Sequence, residues 1–265
     1  MDKKYIIISC IISIVILVLI GFGITIYLGD VNNVSNVVVN DENIKRNNNI
    51  LSEKTCEEIH NNDNNKNFEY EFKKEEIPQQ LKNKMQGVTI SSKSHVTFDD
   101  LCCLTISYYG YDDKIHVGQL IVNKKLGDEV LNIFKELLEI KFPIEKMKPA
   151  CEYGGDDEKS MSDNNTSAFN DRPIEGSGGL SYHQLGTAID INPLINPYIR
   201  FSDNTVLPTN ARKYLKRDEE YKGIIKEGGS CVSIFEKYGW TWGGNWKSLK
   251  YYQHFEKDIN LLYIA

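Results

Sequence analysis

The first part of the folded region alternates apolar and polar positions in ways that predict strands. Residues 68–72 alternate with period two, as a short half-buried strand does. Residues 104–111 and 115–122 are rich in β-branched and aromatic side chains and are separated by a short turn with glycine and aspartate. This arrangement predicts a β-hairpin.

The next stretch changes to helical spacing. Residues 126–142 carry apolar residues three and four positions apart, with charged residues on the other face, and Pro143 stops the predicted helix. Residues 152–179 are polar and rich in turn-forming residues, which predicts a long functional loop. In residues 188–192 the alternation returns, so a short strand is expected there.

The N-terminal pattern differs from the rest. Residues 5–29 lack charge and are long enough to cross a bilayer of about 30 Å, and Lys3 and Lys4 precede them, which predicts a cytoplasmic N-terminus. Residues 30–67 are crowded with asparagine and predict a flexible stalk. The predicted organisation is a cytoplasmic tip at 1–4, an uncleaved transmembrane signal anchor at 5–29, the stalk at 30–67 and an extracytoplasmic domain at 68–265.

Composition narrows the functional classes. The formal charge of −6 and the lack of a clustered basic face argue against nucleic acid as a partner. The six cysteines show no C-x-x-C spacing, so a cysteine zinc site is not expected, and we assign no disulfide. The sequence gives no prediction of oligomeric state.

One segment combines two metal-ligating residue types around a glycine. His183 and Asp190 would lie about 23 Å apart in a straight strand and about 10 Å apart along a helix axis. Neither spacing lets both side chains approach a zinc ion at about 2 Å. The chain between them must therefore bend, and Gly186 supplies the permissive backbone. After the bend, Ile189 and Ile191 would face the core and Asp190 the opposite side.

A second histidine follows near the C-terminus. In a strand, His254 and Glu256 point to one side and Phe255 to the other. Three tryptophans (Trp240, Trp242 and Trp246) precede them beside two glycines, which fits either a shaped cleft or ordinary core. His116 lies in a predicted hairpin strand, where a lone histidine is more often structural than a ligand.

The separated motifs S-x-H-x-x-G-x-A-x-D and W-G-G-x-W…H-F-E, in this order, resemble the zinc D-alanyl-D-alanine carboxypeptidases and related peptidoglycan peptidases, the VanY-like M15 group. The resemblance covers about residues 77–256. It implies an α+β fold with a small antiparallel sheet and flanking helices, the D-Ala-D-Ala peptidase/Hedgehog-like fold. It also implies that His183, Asp190 and His254 bind one zinc ion and that Arg172 holds a substrate carbonyl or carboxylate.

One position departs from the family pattern. Family members usually carry an acidic general base three residues before the last histidine, where this chain has Tyr251. A phenol with a pKa near 10 is a poor base at neutral pH, although it could donate a hydrogen bond to an oxyanion. Glu256 is the available carboxylate on the His254 side, as base or as a partner that holds the ligand histidine.

Three functional hypotheses follow. The first is a membrane-anchored zinc peptidase that cleaves peptidoglycan stem peptides. The second is a cell-wall-binding module that keeps the metal and cleft but has lost its base. The third is a protein with the fold but without metal. The complete ligand set, Arg172 and the aromatic residues favour the first.

Overall fold

The computed structural model describes residues 69–171 and 180–259. Contacts divide the chain into two units, Met1–Asn67 and Phe68–Ala265. The predicted membrane span and stalk lie outside the described residues and stay predictions. Among the helices of the described ranges, none is both long and apolar enough to cross a membrane.

The largest sheet is built on the predicted hairpin. Strands β2 (Leu101–Gly110) and β3 (Ile115–Asn123) pair antiparallel along their whole lengths, which confirms the hairpin and extends it at its open end. Strand β1 (Phe72–Glu75) pairs antiparallel with β2, and β4 (Pro143–Ile144) pairs parallel with it. The predicted position of the first strand, residues 68–72, was wrong: β1 begins at Phe72, because the pairing with β2 runs from Phe72 to Glu75.

A single long helix covers this sheet. Helix α2 (Gly127–Glu139) buries Val130, Phe134 and Leu137, the stripe that the sequence pattern predicts. The predicted end of this helix at residue 142 was wrong, because the helix ends three residues earlier, at Glu139. Lys141 takes a left-handed φ of 53°, and the amide of Phe142 donates to the carbonyl of Leu137 at 2.8 Å. These are the features of a Schellman C-cap.

Several short sheets complete the α+β fold, in agreement with the predicted class of small antiparallel sheets with flanking helices. Their strands are β5 (Lys146–Met147), β6 (Asn165–Thr166), β7 (Ala188–Asp190), β8 (Tyr198–Arg200), β9 (Thr205–Leu207), β10 (Thr241–Trp242), β11 (Leu249–Tyr251) and β12 (His254–Glu256). Strand order is β10-β12-β7 in one three-stranded sheet and β11-β8-β9 in the other, and all their pairings are antiparallel. The other α-helices of the described residues are α1 (Gln79–Met85), α3 (Asp157–Ser162) and α4 (Ser230–Lys237).

The prediction of a continuous loop over residues 152–179 was wrong in part. Helix α3 and strand β6 lie inside it, and residues 172–179 are outside the described ranges. The Asp156 side chain caps α3 by accepting a hydrogen bond from the amide of Lys159, and acidic residues follow in the first turn. These capping signals allow a short helix within a polar stretch.

The core connects the helices to the C-terminal strands. Phe235 of α4 stacks on Phe255 of β12, with ring centroids 3.9 Å apart, and both side chains are fully buried. Ile189 and Ile191 are also fully buried in this core, as predicted. The strands that carry the candidate ligands are therefore anchored by the apolar side chains that alternate with them.

Candidate metal centre

His183 is positioned by a tight turn. It lies in the 3₁₀ helix Tyr182–Leu185, whose N-cap residue Ser181 accepts a hydrogen bond from the amide of His183 at 3.2 Å. Gly186 ends the turn with φ 69°, and a Cβ atom there would lie 2.7 Å from the amide nitrogen of Asn123. The predicted bend is thus confirmed, and both the positive φ and the close approach require glycine.

Asp190 and His254 face each other across a strand pair. They are direct partners in the register of β7 and β12. The amide and carbonyl of Asp190 both bond to Ser167 on the other side, at 2.9 Å and 3.1 Å. Asp190 and His254 therefore form a non-hydrogen-bonded pair, the kind in which opposite side chains come closest. The backbone pairing brings together two residues that are 64 positions apart.

The three side chains meet in one buried cluster. His254 Nδ1 lies 2.9 Å from Asp190 Oδ1 and 3.2 Å from His183 Nε2, and the third separation, His183 Nε2 to Asp190 Oδ1, is 3.3 Å. All three residues are buried. Among the described residues, this is the one group of at least three histidine, cysteine or carboxylate side chains with metal-ligand spacing. His116 lies outside it and contacts Asp112 instead.

The spacing and chemistry of this cluster fit a zinc ion. Three donors around a tetrahedral zinc at about 2.05 Å lie about 3.3 Å from one another, close to the observed distances. Two imidazoles and one carboxylate are also a ligand set that zinc prefers. The cluster presents three electron-pair donors to one buried point, which needs a cation or a proton to be stable.

Neighbouring groups fix which ring nitrogens are available. His183 Nδ1 lies 2.6 Å from the carbonyl oxygen of Ala168, and His254 Nε2 lies 2.9 Å from Glu256 Oε2. A carbonyl and a carboxylate can only accept, so both of these nitrogens carry hydrogen. The other nitrogen of each ring faces the centre of the cluster and is the one that could bind a metal. Such outer partners are the usual way to orient metal-binding histidines.

Two residues of the cluster, Asp190 and His254, have displaced pKa values in the protein without a metal. Burial alone would lower the pKa of His254, but the hydrogen bonds to Asp190 and Glu256 outweigh burial and raise it to about 9. Burial likewise would raise the pKa of Asp190, but the neighbouring imidazoles of His183 and His254 outweigh burial and hold that pKa well below its usual value. A proton on His254 Nδ1 therefore occupies the place of a cation in the metal-free protein.

Aromatic side chains border the cluster on one side. The Tyr251 ring lies nearly parallel to the His254 imidazole, with ring centroids 4.5 Å apart. The ring centroids of Trp246 and His254 are 5.6 Å apart. Trp240 and Trp242 are each only 2% exposed and belong to the core. The tryptophans were predicted to form either a shaped cleft or ordinary core. Trp240 and Trp242 belong to the core, whereas Trp246 is half-buried beside the site.

The predicted catalytic residues occupy different positions. Glu256 contacts the edge of the His254 ring that faces away from the cluster, which favours an orienting role over direct proton transfer there. Arg172 lies outside the described residues, so its role stays a prediction. Sequence reasoning missed the carbonyl of Ala168, a backbone group for which no side-chain signal exists.

This geometry defines a buried His–Asp–His group that could hold a metal ion, on a small α+β domain. A family model described as D-alanyl-D-alanine carboxypeptidase matches residues 175–257, which include all three cluster residues. The match confirms the resemblance to the VanY-like peptidases of family M15 over this segment and supports, at the level of the family, a hydrolase. Neither the curated proteins nor the solved structures gave a match.

Proposed function

We propose that this protein is a zinc metallopeptidase that hydrolyses peptidoglycan stem peptides, as a D,D-carboxypeptidase or a related endopeptidase. The observation that carries the proposal is the buried cluster of His183, Asp190 and His254 inside the segment that matches the carboxypeptidase family. Zinc bound there would lower the pKa of a water molecule to near 7 and polarise a carbonyl group.

The protein's own residues would have distinct roles. His183 and His254 would each offer to the metal the ring nitrogen that faces the cluster, while the other ring nitrogen donates its hydrogen to Ala168 or Glu256. Arg172 is proposed to hold the carbonyl or terminal carboxylate of the peptide. Tyr251 lies next to His254 and is a candidate donor to an oxyanion.

Mass spectrometry of muropeptides tests the proposal. The purified protein with zinc is incubated with a peptidoglycan digest, and loss of D-alanine or cleavage within the stem is expected. His183→Ala should abolish the change, whereas His116→Ala, which alters a histidine outside the cluster, should not. Unchanged muropeptide masses with the zinc-loaded wild type would overturn the proposal.

A second candidate function is a wall-binding module without hydrolysis. It is favoured by Tyr251 at the usual position of the acidic base and by the location of Glu256 on the far edge of His254. This candidate predicts bound zinc, binding to peptidoglycan and no cleavage, with some cleavage gained in Tyr251→Asp. Cleavage by the wild type would exclude it.

We also propose that residues 5–29 anchor the protein in the cell membrane with the domain outside. The support is the uncharged N-terminal run with its preceding lysines. Fractionation of cells, followed by protease treatment of intact protoplasts, tests this placement. Anchoring predicts the protein in the membrane fraction and digestion of the domain from outside. A protein in the cytosolic fraction, or a domain protected from protease, would contradict it.

A further inference from the structure

The tyrosine that stands in place of the acidic residue covers one face of a ligand candidate. The rings of Tyr251 and His254 are nearly parallel, with an interplanar angle of 13° and centroids 4.5 Å apart. Glu256 holds the same imidazole at its Nε2 edge, at 2.9 Å. An edge contact fixes where the nitrogen points, and a face contact limits the tilt of the ring. Together they restrict both rotations of the imidazole.

Tyr251 is itself held by its neighbours. Its direct cross-strand partner in β8 is Tyr198, whose ring meets it edge-on with centroids 5.0 Å apart. The rings of Trp246 and Tyr251 have centroids 6.2 Å apart and an interplanar angle of 70°. Edge-to-face aromatic pairs of this kind are favourable beyond their buried area. The ring that covers His254 is therefore fixed before any metal binds.

The glycine pair of the W-G-G motif has a role in this arrangement. A Cβ atom on Gly243 would lie 2.8 Å from Cβ of Tyr251 and 3.4 Å from Cβ of His254. The backbone of the 3₁₀ turn Gly243–Asn245 thus lies directly against both residues. Any larger residue at Gly243 would displace the strand that presents Tyr251 or the one that presents His254.

From these contacts we infer that Tyr251 is a positioning residue for metal binding, and that its ring carries this role. The inference rests on the proposed zinc site. Without the ring, His254 would have to be ordered when the metal binds, and ordering a side chain reduces affinity. A His254 side chain that is already ordered should therefore bind zinc about two- to tenfold more tightly than one that is ordered only on binding.

Competition with a chromophoric chelator measures zinc affinity without any need for activity. Tyr251→Phe keeps the ring and is expected to bind zinc within about twofold of wild type, whereas Tyr251→Ala should bind about two- to tenfold more weakly. Tyr251→Leu keeps bulk in β11 without a flat ring and should resemble the alanine variant. Tyr221→Ala is the matched control, because this tyrosine makes a similar edge contact with Tyr214 away from the cluster.

The outcomes separate this inference from the proposed function. Wild-type affinity in both Tyr251→Ala and Tyr251→Leu would overturn it, because the ring would then contribute nothing. A loss in Tyr251→Phe as large as in Tyr251→Ala would also overturn it, since the hydroxyl would be the active group. In either case zinc binding by the wild type would stand. Absence of zinc from the wild type would instead overturn the proposed site and this inference with it.

Discussion

Raising the pH from 7 to 9 is expected to strengthen zinc binding by roughly fiftyfold. In the metal-free protein, Nδ1 of His254 lies 2.9 Å from Asp190 and Nε2 lies 2.9 Å from Glu256. Burial opposes the charged imidazole, but these two contacts outweigh it and raise the pKa of His254 to about 9. Nδ1 can serve as a ligand only after its proton leaves.

The magnitude follows from that pKa. Each pH unit below about 9 costs about tenfold in apparent affinity, or about 1.4 kcal/mol, because one proton must be displaced. The metal-free protein should show the opposite trend. A folded-state pKa above the ordinary 6.5 contributes stability that is fully present below pH 6.5 and is lost as the pH rises through about 9. Zinc affinity and metal-free stability should therefore change in opposite directions.

Chelator competition at pH 7, 8 and 9 measures the affinity, and calorimetry in two buffers of different ionisation enthalpy counts the released proton. Glu256→Gln removes one of the two carboxylates that raise the pKa of His254, and it should therefore reduce the pH dependence of zinc affinity. His116→Asn is the control, because that histidine is exposed and outside the cluster. Equal zinc affinity at pH 7 and pH 9, or a binding enthalpy independent of the buffer, would refute the reasoning.

Three further predictions concern the supports of the site. Glu256→Gln should weaken zinc binding by about 10–100-fold, because it weakens the contact that orients His254; chelator competition at pH 10, above the pKa of His254, measures this without proton competition. Gly186→Ala should destabilise the protein by at least about 1–2 kcal/mol in urea denaturation and weaken zinc binding, because the left-handed backbone and the amide of Asn123 exclude a side chain. Phe235→Ala should lower the free energy of unfolding of the metal-free protein by about 3–5 kcal/mol, because it empties the stack on Phe255.

Matched variants control these predictions. Gly87→Ala also places alanine at a positive φ, 74°, but nothing lies within 4 Å of the added Cβ, so zinc affinity should not change. Phe201→Ala alters a phenylalanine that is 51% exposed and should change stability little. Unchanged zinc affinity in Glu256→Gln would contradict its orienting role. Equal effects of Gly186→Ala and Gly87→Ala, or of the two phenylalanine changes, would contradict the packing arguments.

The larger elements could be predicted because their patterns repeat several times. The hairpin strands and helix α2 each contain enough apolar positions to establish a period. Strands such as β10 and β12 are two and three residues long, which is too short for a period to be recognised. Helix α3 was missed because its signal is the cap at Asp156 rather than an apolar stripe.

The site could be predicted in its ligand types but not in its surroundings. The resemblance implied His183, Asp190 and His254, and the bend at Gly186 followed from geometry. The alternation of side chains along a strand predicted that Glu256 lies on the same side as His254. Alternation does not predict distances, so the contact between Glu256 and Nε2 of His254 was seen only in the structure. The burial of individual tryptophans depends on tertiary packing, which neighbouring glycines do not encode.

Metal analysis of the purified protein tests the central claim most directly. We expect one zinc ion per chain in the wild type, retained in His116→Ala and lost from His183→Ala, Asp190→Ala and His254→Ala. Metal-free wild type, or full zinc content in the three cluster variants, would contradict the assignment of this site.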